Sequence, residues 1–194
     1  FEQNMSKIAL ITGATAGIGE ACARTFAQQN YDLILLARRA EKLQSLSEEL
    51  SAGFGIRVQT IAADVRNKED VAKLENLPEE WKRVDVLINN AGLSQGLDPI
   101  NSGDITDWEV MIDTNIKGLL YVTKLVSNWM IQYGPGHIVN LGSIAGKETY
   151  LNGNVYCATK YAVNSLNQAM RIDLLKHRIK VTGTHPGAVE TEFS

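Results

Sequence analysis

The chain has 194 residues, 44% of them hydrophobic and 21% charged, with a net charge of −3 and an isoelectric point near 5.7. That is enough for one domain with a full core, and it argues against nucleic acid or an anionic membrane as the main partner, since no basic run is longer than a pair such as Arg38-Arg39. No stretch is long and apolar enough for a transmembrane helix, and no signal-peptide core precedes Met5, which reads as the native start after an expression remnant at 1–4.

In chain order, continuous apolar runs at 8–12, 33–37, 58–62, 84–88, 138–141 and 181–184 read as strands. Helical stretches fall near 18–29, 40–51, 67–77, 106–131 and 155–177; the second is plainest, with Leu43, Leu46 and Leu50 three and four apart. Uninterrupted apolar strands imply a sheet covered on both faces. Six strands alternating with five helices therefore predict an α/β fold, a doubly wound parallel sheet of Rossmann type, in a single domain over 5–194. Two turn-rich loops, 93–105 and 144–154, follow strand ends, where open α/β sheets bind ligands; a turn is predicted at Asn152-Gly153. Cys22 and Cys157 form no disulfide framework or metal spacing and read as buried, reduced thiols, which points to the cytoplasm. His137, His177 and His185 are isolated, so no metal site is expected.

The first strand ends in Thr12-Gly13-Ala14-Thr15-Ala16-Gly17-Ile18-Gly19 and runs into a helix. Glycines there allow a tight turn and let a pyrophosphate approach the helix N-terminus. The spacing is not that of the common dinucleotide fingerprint, and no P-loop lysine follows; a plain tight connection is the alternative. At the end of the second strand an acid would receive the ribose of NAD, whereas a basic residue would meet the 2′-phosphate of NADP. Here Ala37 stands near the acid's position and Arg38 and Arg39 follow, which favours NADP over a merely solvated pair.

Tyr156 and Lys160 are four residues apart, so on a helix they share a face, and Ser143 lies thirteen residues upstream. A cation near a phenol favours the phenolate, and a serine hydroxyl can hydrogen-bond a substrate oxygen. That equipment moves a proton on or off an alcohol or ketone oxygen, although the same spacing also occurs as a surface pair.

With these pieces together, the sequence resembles the short-chain dehydrogenase/reductase family over essentially its whole length. The matching residues are the Thr12 to Gly19 turn, Asp64-Val65, Asn89-Asn90-Ala91-Gly92, Asn115, Ser143, Tyr156 with Lys160, and Pro186-Gly187 with Thr191. The resemblance implies that Tyr156 is the acid/base, Ser143 polarises the substrate oxygen, Lys160 bonds the nicotinamide ribose and lowers the tyrosine pKa, and Asn115 holds a water for proton relay. It implies cofactor contacts from Gly13, Thr15, Gly17, Ile18, Gly19, Arg38 and Arg39, with Asp64 and Val65 at adenine. Asn90 would stand on the adenosine side, Ala91 and Gly92 would also contact the cofactor, and Pro186, Gly187, Val189 and Thr191 would clasp the nicotinamide. Asn115 and Asp64 can also be read as helix caps or kinks.

A narrower likeness, carried by Ala37-Arg38-Arg39, Leu77-Pro78-Glu79-Glu80-Trp81, Asp107-Trp108, Met111 through Asn115 and Glu190 through Ser194, is to NADP-dependent 3-hydroxy acid dehydrogenases, including those of serine and L-allo-threonine. It implies a small-molecule substrate oxidised at its 3-hydroxyl. The family also implies a homo-oligomer, a tetramer or dimer, through the helices near 106–131 and 155–177, and a substrate-covering segment and last strand beyond Ser194. A carbonyl reductase of other ketones or sugars, a non-catalytic NADP(H) sensor, and a sugar-nucleotide epimerase are the competing readings.

Overall fold

The computed structural model describes residues 6–189, so the expectations placed on Met5 and on Thr191 lie outside the described residues. The first half is β1 (Ile8–Thr12), α1 (Gly17–Gln28), β2 (Asp32–Ala37), α2 (Ala40–Phe54), β3 (Val58–Ala62) and the single turn α3 (Lys68–Val71). The second is β4 (Val86–Asn89), α4 (Ile105–Ile112), α5 (Leu119–Tyr133), β5 (His137–Leu141), α6 (Asn154–Asp173) and β6 (Lys180–Thr184). The strands form one sheet in the order β3-β2-β1-β4-β5-β6, and all five pairings are parallel. The order reverses between β1 and β4, which opens a crevice at their C-terminal ends.

The period of two in each strand sorts side chains between two cores. Ile8 and Leu10 of β1, with Ile34 and Leu36 of β2, face Val122, Val126 and Met130 of α5 and Val163 of α6. Ala9, Ile11, Leu33 and Leu35 face Ala23 and Ala27 of α1 and Leu43, Leu46 and Leu50 of α2. Leu10 and Leu35 are wholly buried, which stabilises the fold by about 1.5–3 kcal/mol per side chain of this size.

Several boundaries differ from the sequence reading. The 67–77 stretch is one α-turn, capped by Asn67 accepting from the N–H groups of Glu69 and Asp70, followed by a 3-10 turn at Ala72–Asn76 that stops before Pro78. β4 starts at Val86, because Asp85 uses its carboxylate and its N–H to bind the backbone of Ile8. The long helix expected at 106–131 is broken by a π-helical segment, Asp113–Gly118, between α4 and α5. The last helix ends at Asp173, and Arg178 takes φ 58 ahead of β6. Cys157 is buried as expected, whereas Cys22 is only half-buried. The predicted turn is present, with Asn152 at φ 63 supplying the left-handed residue.

Candidate active site

The crevice is a cleft of about 490 Å³ whose walls come from the loops after β1, β2, β3, β4, β5 and β6. At its centre, β1 turns at Gly13 into α1. Ala16, extended at φ −160, precedes α1 and makes no side-chain cap bond, so the leading N–H groups of the helix are left for a ligand. Gly19 does not line the cleft; it lets α1 close onto the turn, since a Cβ there would stand 2.2 Å from the Gly13 carbonyl oxygen. Asn90 braces the same turn, its Nδ2 donating to the carbonyls of Thr12 (3.0 Å) and Gly13 (3.1 Å). Thr12 Oγ1 in turn accepts from the N–H groups of Asn90 and Ala91, locking the ends of β1 and β4 together.

One end of the cleft is cationic. Arg38 and Arg39 are exposed and line it, with Arg39 donating to the Thr15 carbonyl at 3.0 Å and to its hydroxyl at 3.3 Å. Asp64 and Val65 line the same end. Burial acts to raise the Asp64 carboxyl, but hydrogen bonds and charge from Arg66, with Arg38 nearby, hold it below the usual carboxylate range. Asp64 is not a cap for α3, a role taken by Asn67; both its oxygens accept from Arg66, the shortest at 2.6 Å.

At the other end stand Ser143, Tyr156 and Lys160. Ser143 follows β5 and accepts from the Ala145 N–H at 3.1 Å, while its side chain is hydrogen-bonded to the Tyr156 phenol. Burial pushes that phenol up and the Ser143 bond partly offsets it. Lys160, 6% exposed, donates from Nζ to the Leu141 carbonyl at 3.0 Å and stands 5.9 Å from the centre of the Tyr156 ring. The two effects on the phenol are burial and the Ser143 bond, while the Lys160 ammonium is hydrogen-bonded to the Leu141 carbonyl. Behind them lies Asn115, whose Oδ1 accepts from the Leu93 N–H (2.9 Å) and whose Nδ2 donates to the Leu93 carbonyl (2.8 Å) and Thr159 hydroxyl (3.0 Å). Gly92 allows this convergence: a Cβ on it would be 3.3 Å from Asn115 Oδ1 and 3.5 Å from Lys160 Nζ. Asn115 itself does not line the cleft.

A model of the family described as short chain dehydrogenase matches residues 7–194. The chain belongs to the short-chain dehydrogenases. Among relatives of this dehydrogenase, the NADP-dependent 3-hydroxy acid dehydrogenase YdfG of Salmonella typhi is 46% identical over 189 residues, 96% of this chain and 75% of the relative. Sulfoacetaldehyde reductase 2 of Chromohalobacter salexigens is 47% identical over 192 residues, 98% of this chain and 75% of the relative. The closed form of a serine dehydrogenase complexed with NADP+ superposes with a TM-score of 0.89 at 44% identity, covering 96% of this chain and 74% of that one.

Of the site residues expected from sequence, the cleft brings together Gly13, Thr15, Gly17, Ile18, Arg38, Arg39, Asp64, Val65, Asn90, Ala91, Gly92, Ser143, Tyr156, Lys160, Pro186, Gly187 and Val189. Sequence reasoning missed Arg66, Thr114 and the Leu141 carbonyl. Arg66 was within reach, two residues after Asp64 in a turn; Thr114 sits in an irregular helix that leaves no periodic signal. Among the described residues, no group of three His, Cys, Asp or Glu is placed to hold a metal ion.

The buried lysine also has a stability consequence. Desolvation pulls Lys160 down from 10.5 to about 8. Between those values the unfolded chain binds more protons than the folded one, so stability rises with pH from about 8 to 10.5 and the penalty is complete below 8. Lys160→Met is therefore expected to be more stable than the parent at pH 7, on the order of 2–3 kcal/mol, with the gap closing toward pH 10.5. Urea unfolding of both proteins across that range checks it; a variant less stable at pH 7 contradicts it.

Proposed function

We propose that the chain is an NADP-dependent oxidoreductase that oxidises a small 3-hydroxy acid at its 3-hydroxyl, or reduces the matching carbonyl. The observation carrying this reading is one cleft with Arg38 and Arg39 at one end and the Ser143, Tyr156, Lys160 group at the other. The residues present fit a dinucleotide: the Gly13 to Gly19 turn is closed to any Cβ at Gly19, α1 opens with free N–H groups, and guanidiniums suit a 2′-phosphate.

When bound, the nicotinamide supplies the hydride chemistry. Tyr156 takes the proton from the substrate hydroxyl in oxidation and returns it in reduction. Ser143, already bonded to the phenol, holds the substrate oxygen beside it. Lys160 leaves the Leu141 carbonyl for the ribose hydroxyls and, charged below pH about 8, favours the phenolate. Asn115 fixes Leu93 and Thr159 next to Lys160 with its side chain, and family likeness supports a relay water beside this residue. Asp64 and Val65 receive adenine, and Asn90, Ala91 and Gly92 the adenosine side. Pro186, Gly187 and Val189 clasp the nicotinamide. Leu120 and Ile131 on α5 and Ile172 on α6 are exposed apolar side chains that support a homo-oligomer, and two free thiols fit the cytoplasm.

The likeness to a sulfoacetaldehyde reductase favours a second substrate reading. In sulfoacetaldehyde one methylene separates the carbonyl from the sulfonate, as one carbon separates carbinol and carboxylate in a 3-hydroxy acid. Turnover should therefore be compared for serine, L-allo-threonine, 3-hydroxypropionate and 2-hydroxyethanesulfonate, each with NADP and NAD. Oxidation of a hydroxy acid with NADP alone is the expected result; oxidation of the sulfonate alone selects the second reading. NADPH binding with no turnover of any of them favours another carbonyl substrate or a sensor.

A further inference from the structure

Four buried side-chain polar atoms find no hydrogen-bond partner among the described residues: Asn89 Oδ1, Thr114 Oγ1, Thr184 Oγ1 and His185 Nδ1. Only Thr114 of these lines the cleft, and it is 7% exposed. A buried hydroxyl without a partner is costly, and a helical threonine normally relieves that by bonding a carbonyl three or four residues back. Thr25 does so with Ala21 at 2.8 Å, and Thr159 with Tyr156 at 2.7 Å. Thr114 does not, because the Asp113–Gly118 segment departs from α-helical geometry and turns it into the cleft.

Its neighbours fix which part of the cleft it faces. Asp113 bears on the charge of Arg66, and Gly118 packs on Val65 so closely that a Cβ would be 2.7 Å from that side chain. Asn115, on the other side, grips Leu93. Thr114 thus lies between the adenine end and the loop after β4.

We propose that Thr114 is a cofactor-binding residue whose hydroxyl hydrogen-bonds an oxygen on the adenosine half of NADP(H), an assignment that rests on the cofactor reading above. The test uses the whole chain in three forms: the parent and the two variants Thr114→Val and Thr114→Ser. NADPH and adenosine 2′,5′-bisphosphate are titrated by calorimetry, and each ligand-free protein is melted. Thr114→Val, which keeps the shape and loses the hydroxyl, is expected to bind both ligands about five- to tenfold more weakly, the weight of one hydrogen bond. Its ligand-free melting temperature should equal or exceed the parent's, and Thr114→Ser should keep the parent's affinity. Unchanged affinity in Thr114→Val, or a loss accompanied by a lower melting temperature, overturns the assignment and leaves the cofactor reading intact. So does a loss confined to NADPH and absent with the bisphosphate. Failure of the parent to bind NADPH overturns both.

Discussion

Replacing Tyr156 by phenylalanine is expected to lower kcat by about 10²- to 10⁴-fold, the usual contribution of a positioned acid/base, while NADPH binds as before. The ring fills the same space, so the cleft keeps its shape and only the exchangeable proton is lost. Ser143 cannot take over that proton: its hydroxyl is held by the Ala145 N–H and the phenol itself. Lys160 is the other candidate, but its ammonium is directed at the Leu141 carbonyl. The check is single-turnover kinetics beside a binding titration. Near-parental kcat in Tyr156→Phe would remove the assigned proton chemistry, whereas lost NADPH binding would mean that the phenol serves the cofactor instead.

The double variant Arg38→Ala/Arg39→Ala should lose about 10²-fold or more in NADPH affinity and little in NADH affinity, since charge-assisted hydrogen bonds contribute about 1.5–3 kcal/mol each. The two arginines are not equivalent. Arg39 is already tied to the carbonyl and hydroxyl of Thr15, so part of its effect comes from loosening the glycine turn. Arg38 adds its charge near Asp64, which keeps that carboxylate from repelling a phosphate at this end. Binding of both dinucleotides at low and high salt separates the contributions. The NADPH affinity of the parent should fall with salt, and the double variant should not follow it. Equal losses for NADPH and NADH would show that the arginines support the turn and not the 2′-phosphate.

What sequence made legible follows the regularity of each segment. β1 and β2 are apolar without interruption because both faces are buried, so their limits could be read almost to the residue. The cofactor turn and the Tyr156, Lys160 pair were legible because glycine placement and i, i+4 spacing each express one physical requirement. The 106–131 stretch misled because its apolar positions persist through the π segment, and composition does not register one extra residue per turn. The capture of Lys160 by Leu141 was equally hidden, since a backbone carbonyl has no sequence signature. Asn115 was found through its place in a motif, yet its side chain acts on a backbone segment twenty-two positions away rather than in the cleft.

The wider turn at Asp113–Gly118 sets how much length variation this part of the chain tolerates. Each residue of an α-helix advances the chain by about 100°, so a single deletion there would rotate everything downstream by that angle. α4 would still present Met111 inward, but Val122, Val126 and Trp129 of α5 would swing off the sheet. The surplus residue therefore behaves as a phase offset between two helices docked on different partners. Outside Thr114, Asn115 and Gly118, substitutions can accumulate along 105–133, whereas insertions and deletions belong at 95–102 and 147–151, where the chain is exposed and no helical phase has to be kept.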